Sequence, residues 1–389
     1  MTVSVLHVSQ PTTEGVARWV ALLAADQVRR GWNVAVASPD DGNLAADIDA
    51  CGARHVLWSA TRSPGPKVPS EVMTLRRIVK DLKPDVVHLH SSKAGLAGRL
   101  AVAGRTPTLF QPHSWSVNAV NGPVRAATAG WERLGALLST RIICVSDAEK
   151  AEGIRLGISA KRLVVIHNGI DTAAWPVAEA EDRVNARTQL ALSHEAPIVV
   201  CVGRLSEQKG QDLLLDAWPA VLTEVPNAEL YLIGDGPTVE SLRSAGKALE
   251  GVHLIGNSTD VPAWLRAANV VAFPSRWEGL ALAVLEASST GRSIVASNAA
   301  GMSEVLGDEG GAVVPLGADF SANFATALRD RLLHVTTTDL EGFRGHERVS
   351  SIFDIKGALA STAEETLRVC KKGPSDDPIT LRPGDVRPS

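Results

Sequence analysis

The sequence predicts an α/β protein built from two doubly wound parallel sheets, and three observations carry that prediction. Short β-branched runs alternate with longer amphipathic segments from the first residues onward, the pattern of βαβ units. The alternation stops once, over an acidic stretch at 172–196 that holds Pro176 and no strand-like run, and then resumes. The chain has 389 residues, too many for one ordinary core and suited to two.

The elements follow in order. VSVLHVS at 3–9 reads as a strand, VARWVALLAADQVRRG at 16–31 as a helix and NVAVASP at 33–39 as the next strand. DVVHLH at 85–90, a helix over 93–104, TLFQPH at 108–113, a helical stretch near 123–140, RIICVS at 141–146 and LVVIHNGID at 163–171 continue the first series. The acidic stretch at 172–196 reads as a linker with a short helix. IVVCVGRL at 198–205 opens the second series, followed by AELYLIGDG at 228–236, GVHLIGN at 251–257, NVVAFPS at 269–275 and SIVASNAAG at 293–301, each leading into a helical pattern. The expected boundaries are a first domain at 1–172, a second at 173–349, one closing helix at 350–372 and a Pro-rich disordered tail at 373–389.

Hydrophobic residues make up 45% and charged residues 21%, ordinary for a globular protein with large cores. The net charge of −4 excludes a general nucleic-acid binder, but it hides an asymmetry: Lys+Arg against Asp+Glu is 20 against 14 over residues 1–171 and 19 against 29 over the rest. Four isolated cysteines, Cys51, Cys144, Cys201 and Cys370, show no CxxC spacing and fit a reducing compartment. No basic leader with an apolar core opens the chain, and no run reaches the roughly 18 apolar residues of a membrane span. The expectation is a cytoplasmic protein, with the inner face of the cell membrane as its candidate surface.

In open parallel sheets ligands bind outside the carboxyl ends of the strands, so two facing sheets would bring their strand-to-helix loops to a central cleft. Two loops of the second series stand out. After IVVCVGR the chain reads LSEQKGQDLL, placing Arg204 and Lys209 beside a helix that opens near Gly210, with Gly203 admitting close backbone approach. Two cations at a helix N-terminus make an anion site, and a diphosphate fits it. After NVVAFPS comes SRWEGLALAVLEAS, where free N–H groups near Gly279, Leu280 and Ala281 can face a phosphate and a helix is expected from about Leu280. Glu278 projects there toward sugar hydroxyls, and Glu286, set among apolar neighbours, can reach a diol such as a ribose. His88 and His90 fall on one face of DVVHLH as a metal-like pair with no third ligand apparent, so His88 reads as structural. Asp47 and Asp49, the one D-x-D, lie in a polar helical stretch, so no metal site is expected. GDGPTVESL at 234–242 lacks the third glycine of a dinucleotide fingerprint, which excludes a dehydrogenase.

GRLSEQKG at 203–210 together with EGLALAVLE at 278–286 closely resembles the retaining GT-B glycosyltransferases of family 4. TTEGVARWVALLAADQVRRGWNVAVASP looks like that family's first glycine loop and helix, NGID at 168–171 matches the end of its first domain, and HSSKAGLAGRLA at 90–101 is similar to a subgroup that builds bacterial surface polysaccharides and lipid-linked oligosaccharides. The resemblance implies a GT-B fold, two Rossmann-like domains, and transfer of a hexose or N-acetylhexosamine from a nucleoside-diphosphate sugar, with UDP favoured over GDP, to a hydroxyl of a glycan or lipid-linked acceptor. It implies Arg204 and Lys209 on the diphosphate, Glu278 on the sugar, Glu286 on the ribose, Gly15 near the phosphate, His113 facing the reacting sugar and the base beside Gly256, Asn257 and Ser258. No cofactor and no metal are implied. His90, Lys93 and Trp115 are the acceptor-side candidates, and Lys93, Arg99, Arg125 and Arg133 suit an anionic acceptor or an anionic membrane surface. Val124, Ala127, Trp131, Leu134 and Leu138 form a stripe expected to pack on the sheet. The sequence departs from the family pattern where EG replaces two glycines and where Leu280-Ala281 replaces Phe-Gly. A sugar-nucleotide 2-epimerase, a glycosyl phosphorylase and a non-catalytic nucleotide-sugar-binding subunit remain as other readings.

Overall fold

The computed structural model describes residues 2–372; the expected tail at 373–389 lies outside the described residues. The first sheet has seven strands, β1 (Ser4–Ser9), β2 (Asn33–Ser38), β3 (Arg54–Leu57), β4 (Val86–His90), β5 (Thr108–Gln111), β6 (Arg141–Cys144) and β7 (Leu163–Val165). The second has six, β8 (Ile198–Val202), β9 (Glu229–Ile233), β10 (Val252–Gly256), β11 (Val270–Phe273), β12 (Ser293–Ser297) and β13 (Gly311–Val314). Their orders are β3-β2-β1-β4-β5-β6-β7 and β10-β9-β8-β11-β12-β13, and every described pairing is parallel. The strand order therefore reverses between β1 and β4 and again between β8 and β11, and these are the two positions where a doubly wound sheet opens a crevice for a ligand.

Helices cover both faces of each sheet, which is why β4 and β12 are buried at every residue and read as unbroken runs. In the first unit one core joins Leu6, Val87 and Leu89 to Trp58, Phe110 and Trp115; in the second, Val199, Leu230 and Val270 pack against Trp218, Phe320 and Phe324. The edge strands β3 and β13 were not foreseen. Arg54-His55-Val56-Leu57 is half-exposed and has no apolar run, and β13 opens on Gly311.

The chain divides by its contacts otherwise than at residue 172: among the described residues one unit holds those through Val145, Lys150–Ile166 and Leu359–Lys372, and the other holds Ser146–Glu149 and His167–Ala358. The closing helix expected at 350–372 is the second of two successive helices, Val335–Ile352 and Ile355–Lys372. The second carries Val369 into a small core with Val86, Leu109, Ile143 and Ile166, and its Glu365 accepts from Arg141 at 2.8 Å, so this helix packs against the first sheet.

The expected short helix after the break spans Ala180–Gln189 and belongs to the second unit. Its Arg187 is buried and donates to the carbonyls of Ala267, Ser193, His194 and Ala196 and to Asn269 Oδ1, at 2.7 to 3.3 Å. A guanidinium with its donors occupied tolerates burial, although burial pulls its pKa down.

Candidate active site

At the second sheet's switch point two loops meet. One leaves β8 through Gly203 and Arg204, turns at Glu207–Lys209 and enters the helix Gln211–Glu224; the other leaves β11 and enters the helix Leu282–Ser289. Lys209 Nζ donates to Glu278 Oε1 at 2.6 Å, with the lysine side chain 23% exposed and the glutamate 6%. Around that pair the loops are stitched together: Arg276 N–H donates to the Gln208 carbonyl (2.7 Å), Gln208 Nε2 donates to the Trp277 carbonyl (3.0 Å), and the Arg276 guanidinium grips Asp212 through two bonds. That fork holds the Asp212 carboxyl below its usual range and raises Arg276. Buried Gln211 donates to the Arg204 carbonyl at 3.0 Å and so fixes the strand end.

Gly210 adopts φ +68°, and a Cβ there would lie 2.2 Å from the Pro274 carbonyl oxygen. Only glycine lets the Lys209 turn approach the neighbouring loop this closely. The neighbouring turn after β9 makes the same demand, since a Cβ on Gly236 would lie 2.2 Å from the Leu205 carbonyl oxygen. Gly234 N–H donates to the Gly256 carbonyl (2.8 Å), which brings in the loop after β10. There Asn257 is exposed, while Ser258 Oγ accepts from Asp260 N–H, the cap of the helix Val261–Ala267.

The helix expected from about Leu280 begins at Leu282, because Ala281 is an extended N-cap. The amides of Gly279, Leu280 and Ala281 therefore belong to a loop, held by Asn168 Nδ2 donating to the Leu280 carbonyl at 3.0 Å. Glu286 lies on this helix and is 5% exposed. Thus Gly203, Arg204, Lys209, Glu278, Gly279, Leu280 and Glu286 gather at one switch point, as the sequence led one to expect. What it did not reveal is that Lys209 and Glu278 are partners.

The first unit's switch point holds imidazoles. The register of β1 on β4 sets His7 beside His88, and His7, His88 and His90 are wholly buried, with donor atoms within 4.8 Å of one another. The third member of the group, missed in the sequence, is therefore His7. Its signal was there: VSVLHVS and DVVHLH are adjacent parallel strands with histidines on the same phase. These three residues could hold a metal ion, as could exposed Asp147 with His167 and Glu304. Burial pushes the imidazoles strongly toward the neutral form: His7 to about 4, His88 and His90 well below their ordinary value. His113 is lowered to about 3 by burial, although part of its surface stays accessible. Four non-glycine residues with positive φ sit in the loops at this end of the sheet: Glu14 (65°), Ser91 (66°), His113 (56°) and Ser114 (109°). Such strain concentrates at functional sites. Glu14 stands where EG replaces two glycines and takes the left-handed conformation itself; Gly15, next to it, lies in the first turn of the helix Glu14–Arg29.

The acceptor-side expectations need correction. Trp115 is 1% exposed and meets Phe110 edge-on at 6.2 Å, so it is core. Lys93 is buried against Glu71, with Nζ to Oε2 at 2.6 Å, and so is not a free cation. His90 is buried among the other imidazoles rather than on an open surface. Arg99 is fully buried, paired with Glu132 at 2.8 Å and laid over Phe110. Arg125 and Arg133 remain exposed. The helix Gly122–Ala136 also turns a different face inward, burying Glu132, Gly135 and Ala136 and leaving Val124 58% and Leu134 60% exposed. The buried Arg99–Glu132 pair takes the place that the apolar stripe was expected to fill. Asp47 and Asp49 are exposed on the helix Leu44–Ala50, as the sequence led one to expect.

Comparison with known proteins fixes the family. Residues 13–174 match Glycosyltransferase Family 4 and residues 196–334 match Glycosyl transferases group 1. A GDP-mannose-dependent alpha-(1-6)-phosphatidylinositol monomannoside mannosyltransferase of Mycobacterium tuberculosis is 32% identical over 276 residues, covering 66% of this chain and 69% of that protein. The chain belongs to glycosyltransferase family 4. A UDP-Gal:alpha-D-GlcNAc-diphosphoundecaprenol alpha-1,3-galactosyltransferase of Escherichia coli is 27% identical over 303 residues, covering 73% of this transferase and 78% of that one. The crystal structure of Anabaena HepE in complex with UDP and glucose aligns with TM-score 0.80 at 21% identity, over 94% of this chain and 99% of that one, and shows that the transferase has the GT-B fold. It is a hexosyltransferase that uses a nucleotide-sugar donor.

Proposed function

We propose that this transferase moves a hexose or N-acetylhexosamine, with retention of configuration, from a UDP-sugar to a hydroxyl of a glycan or lipid-linked acceptor. The observation that carries the reading is the Lys209–Glu278 contact at the β8/β11 switch point, a cation and a carboxylate meeting where a donor's phosphate and sugar would meet. In this reading Arg204, Lys209 and the loop amides of Gly203, Gly279 and Leu280 receive the charge that develops on the departing diphosphate. Glu278 accepts hydrogen bonds from the donor sugar and, through its 2.6 Å contact, holds the Lys209 ammonium in place. Glu286 takes the ribose, the loop at Gly256, Asn257 and Ser258 takes the base, Gly15 serves the phosphate and His113 the reacting sugar. The acceptor oxygen bonds to the anomeric carbon on the face that the phosphate oxygen leaves, and that oxygen takes the acceptor's proton. The protein's own cations do the work that a divalent metal does elsewhere, and the reaction proceeds without one. The Escherichia coli relative is named for a UDP-sugar and a diphosphoundecaprenol acceptor and the Mycobacterium tuberculosis relative for GDP-mannose, so UDP keeps the preference that the sequence resemblance implies and GDP is the alternative the test below separates.

A membrane-bound acceptor is supported by the helix Gly122–Ala136, which exposes Val124 and Leu134 beside Arg125 and Arg133. Among the described residues no helix is long and apolar enough to cross a membrane. Anionic liposomes at low salt should retain the protein, and Val124→Glu with Leu134→Glu should release it.

The deciding experiment is a thermal-shift panel of nucleoside diphosphates and their sugars, followed by product analysis. A ligand at 100 times its Kd stabilises by about 2.7 kcal/mol. Release of UDP with formation of an α-glycoside from an α-donor, undiminished by a chelator, is the expected result. Release of free epimer or of sugar phosphate, or loss of activity on chelation, would sink the reading.

A further inference from the structure

Four side chains of the first unit form a continuous line. His7 Nε2 lies 2.8 Å from Gln27 Oε1, His7 Nδ1 lies 3.0 Å from His90 Nε2, and His90 Nδ1 lies 3.3 Å from His113 Nε2. Gln27, His7 and His90 are wholly buried, so water does not interrupt the line. Each neutral imidazole has one donor and one acceptor nitrogen, so a fixed proton at one end dictates every other. With the Gln27 amide turned so that Oε1 meets His7 and Nε2 is left without a partner, His7 Nε2 donates and His7 Nδ1 accepts. His90 Nε2 must then donate, His90 Nδ1 accept, and His113 Nε2 donate. His113 is left with Nδ1 as the acceptor nitrogen at the end of the line.

We propose that Gln27, His7 and His90 form a one-way hydrogen-bond chain that holds His113 as its Nε2–H tautomer, so that the bare Nδ1 accepts a hydrogen bond from a hydroxyl of the bound sugar. Gln27, His7 and His90 are positioning residues: they touch no substrate and act through His113. The left-handed backbone at His113, φ +56°, aims the ring at the end of the line, and the stacked rings of His90 and His113, 5.6 Å between centroids, hold its plane. His88 packs against His90 at 4.1 Å and takes no place in the line; the polar group beside its ring is the Gln111 side chain. A metal ion at His7, His88 and His90 is the competing occupant, but it would have to break the His7–His90 bond that the line uses.

The test is the tautomer of each ring, read by long-range proton–nitrogen correlation on protein labelled with nitrogen-15 histidine and free of ligand. The native protein should show His113 protonated on Nε2 with Nδ1 bare; the opposite tautomer would overturn the proposal without any variant. Gln27→Leu, 20 residues from His7 and outside the reacting site, should mix the His113 tautomers and lower kcat about tenfold or more, the scale on which an orienting partner is felt, with donor KM little changed. His90→Leu should do the same, and His90→Gln, which can both accept and donate, should restore part of the rate. An unchanged His113 tautomer in both leucine variants would overturn the chain. So would one equivalent of cobalt(II) bound with ligand-field absorption, since the metal would claim the same nitrogens. The role of His113 at the sugar rests on the proposed function: tautomers that shift while kcat stays constant would uphold the chain and overturn that role instead.

Discussion

At the scale of single residues, the charged pair at the β8/β11 switch point carries the sharpest predictions. Lys209→Ala should lower kcat by roughly 10² to 10³, as when one preorganised donor to developing charge is lost; an unaltered rate at saturating donor would remove Lys209 from the reaction. Glu278→Gln keeps the shape but removes the charge that fixes Lys209, so both KM for the donor and kcat should suffer, and Lys209→Ala added to it should cost less than the two single effects combined. A double-mutant cycle on kcat/KM checks that coupling. These two residues were legible because each follows a strand, beside a glycine, in a spacing that is hard to meet by chance. Lys93, Arg99 and Trp115 were misread for the opposite reason. Glu71 and Glu132, which neutralise Lys93 and Arg99, lie far from them in sequence, and the edge-on contact that buries Trp115 against Phe110 exists only in the fold. Sequence reports a charge; only packing reports whether it is available.

At the scale of elements, the turn that carries Lys209 depends on Gly210. Gly210→Ala sets a Cβ into the Pro274 carbonyl and a side chain into a left-handed conformation, and it should destabilise the second unit by about 2 kcal/mol or more. Urea unfolding should register the loss, and nucleotide affinity should fall with it because Lys209 moves. Periodicity identified the strands nearest both switch points because they are fully buried runs. It failed at β3 and β13, where an edge strand needs neither a long apolar run nor an alternating one. It also misjudged the helix Gly122–Ala136, since a buried ion pair can fill a helix face that hydrophobic spacing assigns to apolar side chains.

At the scale of the whole molecule, each unit has its own core and its own chemistry, and each can be probed by itself. A fragment spanning 167–358 retains the helix Ala180–Gln189 with Arg187 and should unfold cooperatively. One beginning at 197 strips a buried guanidinium from the Ala267 carbonyl and from Asn269, and should be markedly less stable by calorimetry. The first unit should be acid-labile. His7 titrates at about 4 when folded against 6.5 when unfolded, so the unfolded chain binds the extra proton and stability falls as pH drops from 6.5 toward 4. That single shift is worth on the order of 3 kcal/mol, and His7→Gln should flatten the decline in melting temperature over this range. The two reversals of strand order thus carry opposite kinds of groups, rings without charge in one unit and full ions in the other. Added electrolyte screens the second kind and leaves the first untouched, so ionic strength should loosen the grip on a diphosphate without disturbing the fold that houses the rings.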